Sequence, residues 1–175
     1  GIGLTALAIM ASGGSGETTF GGMFVDDQFA RYMKLLICIA TALPLLISLN
    51  YIRDNKMDGG EYYVIVLFSM LGGMIMISSG DFIMLYLGLE LMSLSIYVLA
   101  AFKRGDVKSS EAGLKYFILG SLASGILLYG ISLIYGSFGT VNFTEVALGL
   151  ANAHGHVSPA VGLGMVMIVG ALSFK

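Results

Sequence analysis

Charged residues stand in this sequence where apolar runs should exclude them. Glu90 is set in Leu87-Gly-Leu-Glu-Leu-Met-Ser-Leu94. Counted from Asp81, where its apolar span begins, it lies about nine residues in, roughly 13 Å at about 1.5 Å per helical residue, near a bilayer midplane. Tyr86, Ser93 and Tyr97 stand at i−4, i+3 and i+7 from it, so helical periodicity draws a polar stripe along one face of an apolar cylinder. Lipid cannot solvate such a stripe, which therefore has to face protein or water. Lys115 lies about seven residues into the next span, roughly 10 Å deep, with Glu111 one turn before it on the same face. A surface salt bridge at the membrane boundary and a working buried cation are both open readings of that pair. Lys175 stands about sixteen residues beyond Pro159, roughly 24 Å along a regular helix, and is buried unless that helix is broken. Burial favours the neutral forms of Glu and Lys, whereas an opposite charge nearby favours the charged ones. Groups balanced between these effects can take up and release protons, which is what a proton relay or a coupled pump requires. The bland alternative is a set of neutralised charges that only pin helices together.

The elements that position these residues follow from composition. Of the 175 residues, 57% are hydrophobic and 11% charged, and the mean hydropathy is +0.88. A soluble domain of this size does not carry that balance. Apolar runs of about 17–25 residues recur, each long enough to cross roughly 30 Å of hydrocarbon as a helix. The sequence predicts an all-α, polytopic transmembrane helix bundle in a single membrane domain, 1–175, with spans at 1–11 (partial), 30–52, 62–79, 81–102, 108–135 and 159–175 (partial). Gly80-Asp81 is a minimal break, with Asp81 placed to cap the following helix. Gly120, Ser121, Ser124, Gly125, Ser132 and Gly136 give small-xxx-small spacing, which suits close helix packing. A short surface helix is expected around Asn142 to Ala151, capped by Asn142 or Thr144.

Loop charges set an orientation. Loop 53–61 has two basic residues, Arg53 and Lys56, and loop 103–108 has three, Lys103, Arg104 and Lys108; the loops at 12–29, around 80 and at 136–158 have none. The positive-inside rule puts the first two on the cytoplasmic side or its organellar equivalent. Arg31 and Lys34, at the outer mouth of the second span, count against it unless they snorkel. His154-Gly-His156 could share a metal, but no third ligand stands near, Glu145 being the closest, and no metal is expected. Asn142-Phe-Thr144 fits a glycosylation sequon, a pattern too short to decide anything alone. The lone Cys38 excludes an internal disulfide and reads as a small packed hydrophobe. A net charge of −2 without a basic run excludes nucleic acid as a partner. Gly1–Ala11 reads as the tail of a helix, not a signal peptide, and the chain stops inside an apolar segment; a longer protein on both sides is expected.

With these residues in view, Leu85-Tyr-Leu-Gly-Leu-Glu-Leu-Met-Ser-Leu-Ser-Ile-Tyr-Val-Leu-Ala-Ala-Phe-Lys-Arg104 resembles the signature region of the subunit N family of the proton-pumping NADH:quinone oxidoreductases, respiratory complex I, also called the mitochondrial subunit 2 type. Ser110-Glu-Ala-Gly-Leu-Lys-Tyr-Phe-Ile-Leu-Gly-Ser-Leu-Ala-Ser-Gly-Ile-Leu-Leu-Tyr-Gly130 and Ile134-Tyr-Gly-Ser-Phe-Gly-Thr140 are similar to that family more than to its antiporter-like sisters. The closing Val161-Gly-Leu-Gly-Met-Val-Met-Ile-Val-Gly-Ala-Leu-Ser-Phe-Lys175 fits the approach to a broken seventh helix. The resemblance implies a fragment of an antiporter-like fold, from the end of helix 2 to the first half of helix 7, containing inverted five-helix repeats. It implies proton translocation driven by electron transfer in other subunits, with Glu90 matching the glutamate of helix 5, Lys175 the lysine of the broken helix, and Lys115 a lysine of helix 6. It implies no cofactor on this chain, with NADH, FMN, iron-sulfur clusters and quinone in the parent complex. Partners would be the other membrane subunits, including the sisters, and the bilayer; the location would be a bacterial inner membrane or an energy-transducing organelle membrane. The alternatives are a Na⁺ or K⁺/H⁺ antiporter subunit, a membrane-bound hydrogenase-type subunit, or a purely structural membrane subunit.

Overall fold

The computed structural model describes residues 1–11, 17–54, 59–103, 105–153 and 158–175. Helices dominate, because in lipid a helix satisfies its backbone N–H and C=O groups within its own segment. In chain order they are α1 (Ile2–Ala11), α2 (Gln28–Asp54), α3 (Gly59–Ile77), α4 (Phe82–Ala100), α5 (Val107–Phe138), α6 (Phe143–Asn152) and α7 (Pro159–Phe174). Among the described residues, four of these, α2 to α5, are long and apolar enough to cross a membrane, and α1 and α7 are shorter apolar helices. Their starts are chemically marked. The Asp81 carboxylate accepts from the Met84 amide at 2.6 Å, Asp27 from Ala30 at 2.6 Å, Asp106 from Lys108 at 3.0 Å, and Ser158 precedes Pro159 at the head of α7. Each such cap stabilises a helix by about 1 kcal/mol. Of the two expected caps of the surface helix α6, Asn142 and Thr144, it is Asn142 that accepts, from the amides of Thr144 at 2.9 Å and Glu145 at 3.3 Å.

The stretch expected as a loop at 12–29 contains a small hairpin. Strands β1 (Glu17–Thr19) and β2 (Phe24–Asp26) pair antiparallel. Between them Phe20, Gly21 and Gly22 take positive φ values of 55°, 67° and 91°, a turn that glycine makes cheap. The hairpin does not stand alone. The Val25 amide donates to the Ser78 carbonyl at 2.9 Å and the Gly80 amide to Met23 at 2.7 Å; from the other side Phe82 donates to Val141 at 3.0 Å and Phe143 to Gly80 at 3.2 Å. The Gly80-Asp81 break is thus a strap held between the hairpin and the approach to α6. A methyl group on Gly80 would lie 2.0 Å from the Gly22 carbonyl oxygen, so only glycine fits.

Arg31 and Lys34 do not snorkel. Arg31 donates to the carbonyls of Ile9 at 3.1 Å and Met10 at 2.8 Å, in the last turn of α1. Lys34 is buried, bonded to Asp26 at 3.0 Å and lying 4.9 Å from the centre of the Phe24 ring. The hairpin carboxylate neutralises this lysine inside the protein, so it needs no route to solvent.

Two close helix contacts build the bundle. Where α3 meets α4, a Cβ on Gly72 would sit 2.7 Å from the Gly88 carbonyl oxygen, and one on Gly88 2.8 Å from that of Gly72. Where α5 meets α7, a Cβ on Gly130 would sit 2.8 Å from the Gly164 carbonyl oxygen. Backbones approach this closely only through glycine. Of the small residues expected to line the α5 contact, Gly120 and Ser124 are buried, whereas Ser121 and Ser132 are exposed and Gly125 and Gly136 face open space. Leu89, Leu127, Ile131, Ile134, Val161 and Ile168 form the shared apolar core of α4, α5 and α7. Cys38 is buried in α2 as a packed small residue.

Candidate functional site

The polar stripe of α4 faces protein. Ser93 and Tyr97 are buried against neighbouring helices, and the Glu90 side chain retains 19% exposure. Dense packing of α5 on α7 carries the end of α7 back across the bundle, with Ala171 in the core one turn before Lys175. The Lys175 ammonium consequently meets the Glu90 carboxylate in a direct ion pair, its side chain only 6% exposed. Ser124 of α5 donates its hydroxyl to the same carboxylate oxygen at 2.5 Å. Lys175 also donates to Ser93 at 3.3 Å, one turn along α4. Three helices thus supply four groups to one buried cluster: an acid, a base and two hydroxyls. A pair buried this way offsets the desolvation of each partner, and separating it withdraws that offset.

Sequence reasoning placed Glu90 and Lys175 as candidates and Ser93 on the polar stripe beside Glu90, and the structure brings these three together. It treated Ser124 as a packing residue only. Ser124 is 34 positions from Glu90, and nothing in either local sequence gives the register between α4 and α5 that joins them. Lys115 is not part of the cluster. It pairs with Glu111 at 2.5 Å, and both side chains are largely exposed, 70% and 57%. Among the described residues no group of His, Cys, Asp or Glu could hold a metal. His154 and His156 lie outside the described residues, as do Lys56 and Arg104. Asn142 of the sequon uses its side-chain oxygen to cap α6 and is half-buried.

Residues 79–175 match the family model described as NADH:quinone oxidoreductase/Mrp antiporter, transmembrane. The chain is 53% identical over 169 residues to NADH-quinone oxidoreductase subunit N of Magnetococcus marinus, covering 97% of this chain and 35% of that protein. It is 49% identical over 177 residues to the subunit N of Paramagnetospirillum magneticum, covering 99% and 36%. Among solved structures it is similar to a chain of an archaeal membrane-bound sulfane sulfur reductase, with a TM-score of 0.77 and 26% identity over 98% of this chain and 36% of that one. It is likewise similar to a chain of respiratory complex I from Thermus thermophilus, with a TM-score of 0.75 and 27% identity over the same shares, 98% and 36%. The chain therefore spans a little over one third of the length of the relatives it matches, 35% and 36% in the two named. The apolar helices and these likenesses make it a multi-pass integral membrane protein. The chain belongs to the NADH:quinone oxidoreductase/Mrp antiporter transmembrane family.

Proposed function

We propose that this chain is part of a proton-translocating membrane subunit, of the subunit N type, in an NADH:quinone oxidoreductase of a bacterial inner membrane or an energy-transducing organelle membrane. The observation that carries the reading is the buried Lys175–Glu90 ion pair with Ser124 and Ser93 around it. Electron transfer in other subunits supplies the energy, and this chain does no redox chemistry. NADH, FMN, iron-sulfur clusters and quinone belong to the parent complex. Its partners are the neighbouring membrane subunits, including antiporter-like sisters. Identities of 53% and 49% to subunit N proteins favour this reading over an antiporter or hydrogenase-type subunit.

In mechanism, contact keeps the acid and the base charged together, each offsetting the other's loss of water. A small displacement of the end of α7 relative to α4 withdraws that offset, so the carboxylate takes a proton and the ammonium releases one. A break in the seventh helix at Lys175 would let the lysine move. That break, and the inverted five-helix repeats of the antiporter-like fold, are part of the proposal. Lys115, paired with Glu111 on the open side of α5, is assigned to a charge contact outside this pair, toward proton exchange or a neighbouring subunit. The test is Glu90→Gln in the full-length subunit of the assembled complex. The amide keeps shape and hydrogen bonding, so the complex assembles while coupled proton pumping in sealed vesicles falls. Wild-type pumping from a fully assembled Glu90→Gln complex would make Glu90 a packing residue.

A further inference from the structure

The start of α3, the end of α4 and the start of α5 leave a groove of about 740 Å³ between them, lined by Glu61 and Val64 of α3, Tyr97 and Val98 of α4, and Leu114 and Phe117 of α5. It lies at the end of the bundle that carries the basic loops at 53–61 and 103–108. Its walls are firm. Tyr97 is buried, with its ring held edge-on by Tyr116 at 4.7 Å and Phe117 at 6.0 Å. A Cβ on Gly113 of α5 would lie 2.5 Å from the Ala101 methyl at the end of α4, so the two helices already touch where they form the wall. Val64, Val98 and Leu114 nevertheless each keep half or more of their surface exposed. Side chains of this kind call for an apolar occupant, and the volume falls within the roughly 300–1,000 Å³ of small-molecule sites. A convex helix face touches a neighbouring hydrocarbon chain along one side, whereas a groove with three helical walls touches it along several, and the summed dispersion contacts hold it in place.

A second cleft, of about 400 Å³, adjoins the groove at Phe102, which lines both. Its chemistry is different. Lys103 and Lys108 bring ammonium groups to it, and Tyr51, Tyr62 and Ser109 bring hydroxyls. Asp106, also on its wall, is engaged in capping α5, accepting from the Lys108 amide at 3.0 Å. Over Lys103-Arg-Gly-Asp-Val-Lys108 three positive charges stand against that one carboxylate. Glu61 lines the groove and not the cleft, so like-charge repulsion steers a phosphate to the lysine side of Phe102. Tyrosines sit at the level of lipid headgroups, and basic pockets between membrane helices take anionic ones. A positive, hydroxyl-lined cleft beside an apolar groove thus has the two-part chemistry of an amphiphile. We propose that the groove holds one acyl chain of an anionic phospholipid from the leaflet at this end of the bundle, with its phosphate between Lys103 and Lys108. The site is separate from the Glu90–Lys175 pair and stands whether or not that pair titrates.

The experiment uses the full-length subunit in its assembled complex, reconstituted in phosphatidylcholine vesicles with a small share of phosphatidylglycerol that carries a photoactivatable diazirine in one acyl chain. The control places the same diazirine chain on phosphatidylcholine. After illumination, mass spectrometry reads which residues are labelled. Phosphatidylglycerol should label Val64, Val98 and Leu114 well above Leu43 and Ile47, which are exposed apolar residues of α2 outside the groove. Lys103→Gln and Lys108→Gln should each lower that labelling about fivefold, the loss expected of one basic residue facing anionic lipid, and leave labelling by phosphatidylcholine unchanged. Val98→Trp, which fills the groove from a half-exposed position, should lower labelling by both lipids. Groove labelling no higher than at Leu43 and Ile47, or equal for the two lipids and indifferent to the lysine variants, would overturn the proposal. So would capture of a polypeptide in place of lipid by a benzophenone side chain introduced at Leu114, since a protein helix would then occupy the groove.

Discussion

Two buried serines show how little a residue type says without its partner. Ser124 and Ser78 are both buried hydroxyls. Ser124 donates to the Glu90 carboxylate, whereas the Ser78 hydroxyl has no hydrogen-bond partner among the described residues. A hydrogen bond to a charged group contributes about 1.5–3 kcal/mol net, while a buried hydroxyl without a partner costs about 1–3 kcal/mol. Ser124→Ala is therefore expected to lower the stability of the full-length subunit by about 1.5–3 kcal/mol and to slow pumping, because it removes a donor that fixes the carboxylate. Ser78→Ala is expected to hold or raise stability. Thermal unfolding of the purified subunit in detergent checks both, and a Ser78→Ala protein that melts well below wild type would mean the hydroxyl has a role the contacts do not reveal. Glu90 was legible because carboxylates are rare in such a run; Ser124 was not, because serine is at home in any membrane helix.

Among the helices, the contact that matters most for the site is α5 on α7, since it decides where Lys175 ends up. A side chain at Gly130 meets the Gly164 carbonyl oxygen at 2.8 Å and the Ile168 side chain at 2.9 Å. Gly130→Val should cost about 1–3 kcal/mol by overpacking, tilt α7 away from α4, and lower pumping without touching any titrating group. Gly136→Ala, with nothing within 4 Å of the new methyl, should be neutral or raise stability by up to about 1 kcal/mol through helix propensity. Equal loss of pumping in the two variants would show that α5 does not position Lys175 through its close contact. Small-residue spacing on α5 pointed to close packing but not to which glycines take part, because spacing cannot tell a packed face from an open one. Caps were easier: Asp81 and Asn142 act through amides two or three residues away, so local sequence carries the whole signal. The β1–β2 hairpin escaped notice for the opposite reason. Each strand has only three residues, too short for alternation to show, and its hold on the molecule comes from the distant Ser78 carbonyl.

Taken whole, the molecule has two chemically different ends. At one, the hairpin, the Ser78–Asp81 strap and the approach to α6 are joined by backbone hydrogen bonds; these are the three loop regions that the sequence leaves without lysine or arginine beyond α2. At the other, the start of α3 and the end of α4 meet through the Tyr62 and Phe102 rings, 5.6 Å apart, beside the basic loops at 53–61 and 103–108. Lys34 no longer weighs against the positive-inside assignment, because Asp26 cancels it within the protein. We propose the orientation that puts the basic end on the cytoplasmic or matrix side. Cys38 is 2% exposed, so an impermeant thiol reagent should leave the native subunit unlabelled and report only on introduced cysteines. Val107 at the head of α5 is 78% exposed, and Thr18 in β1 is exposed. In intact cells Thr18→Cys should be labelled and Val107→Cys should not; in inside-out vesicles the pattern should reverse. The opposite pattern would invert the molecule.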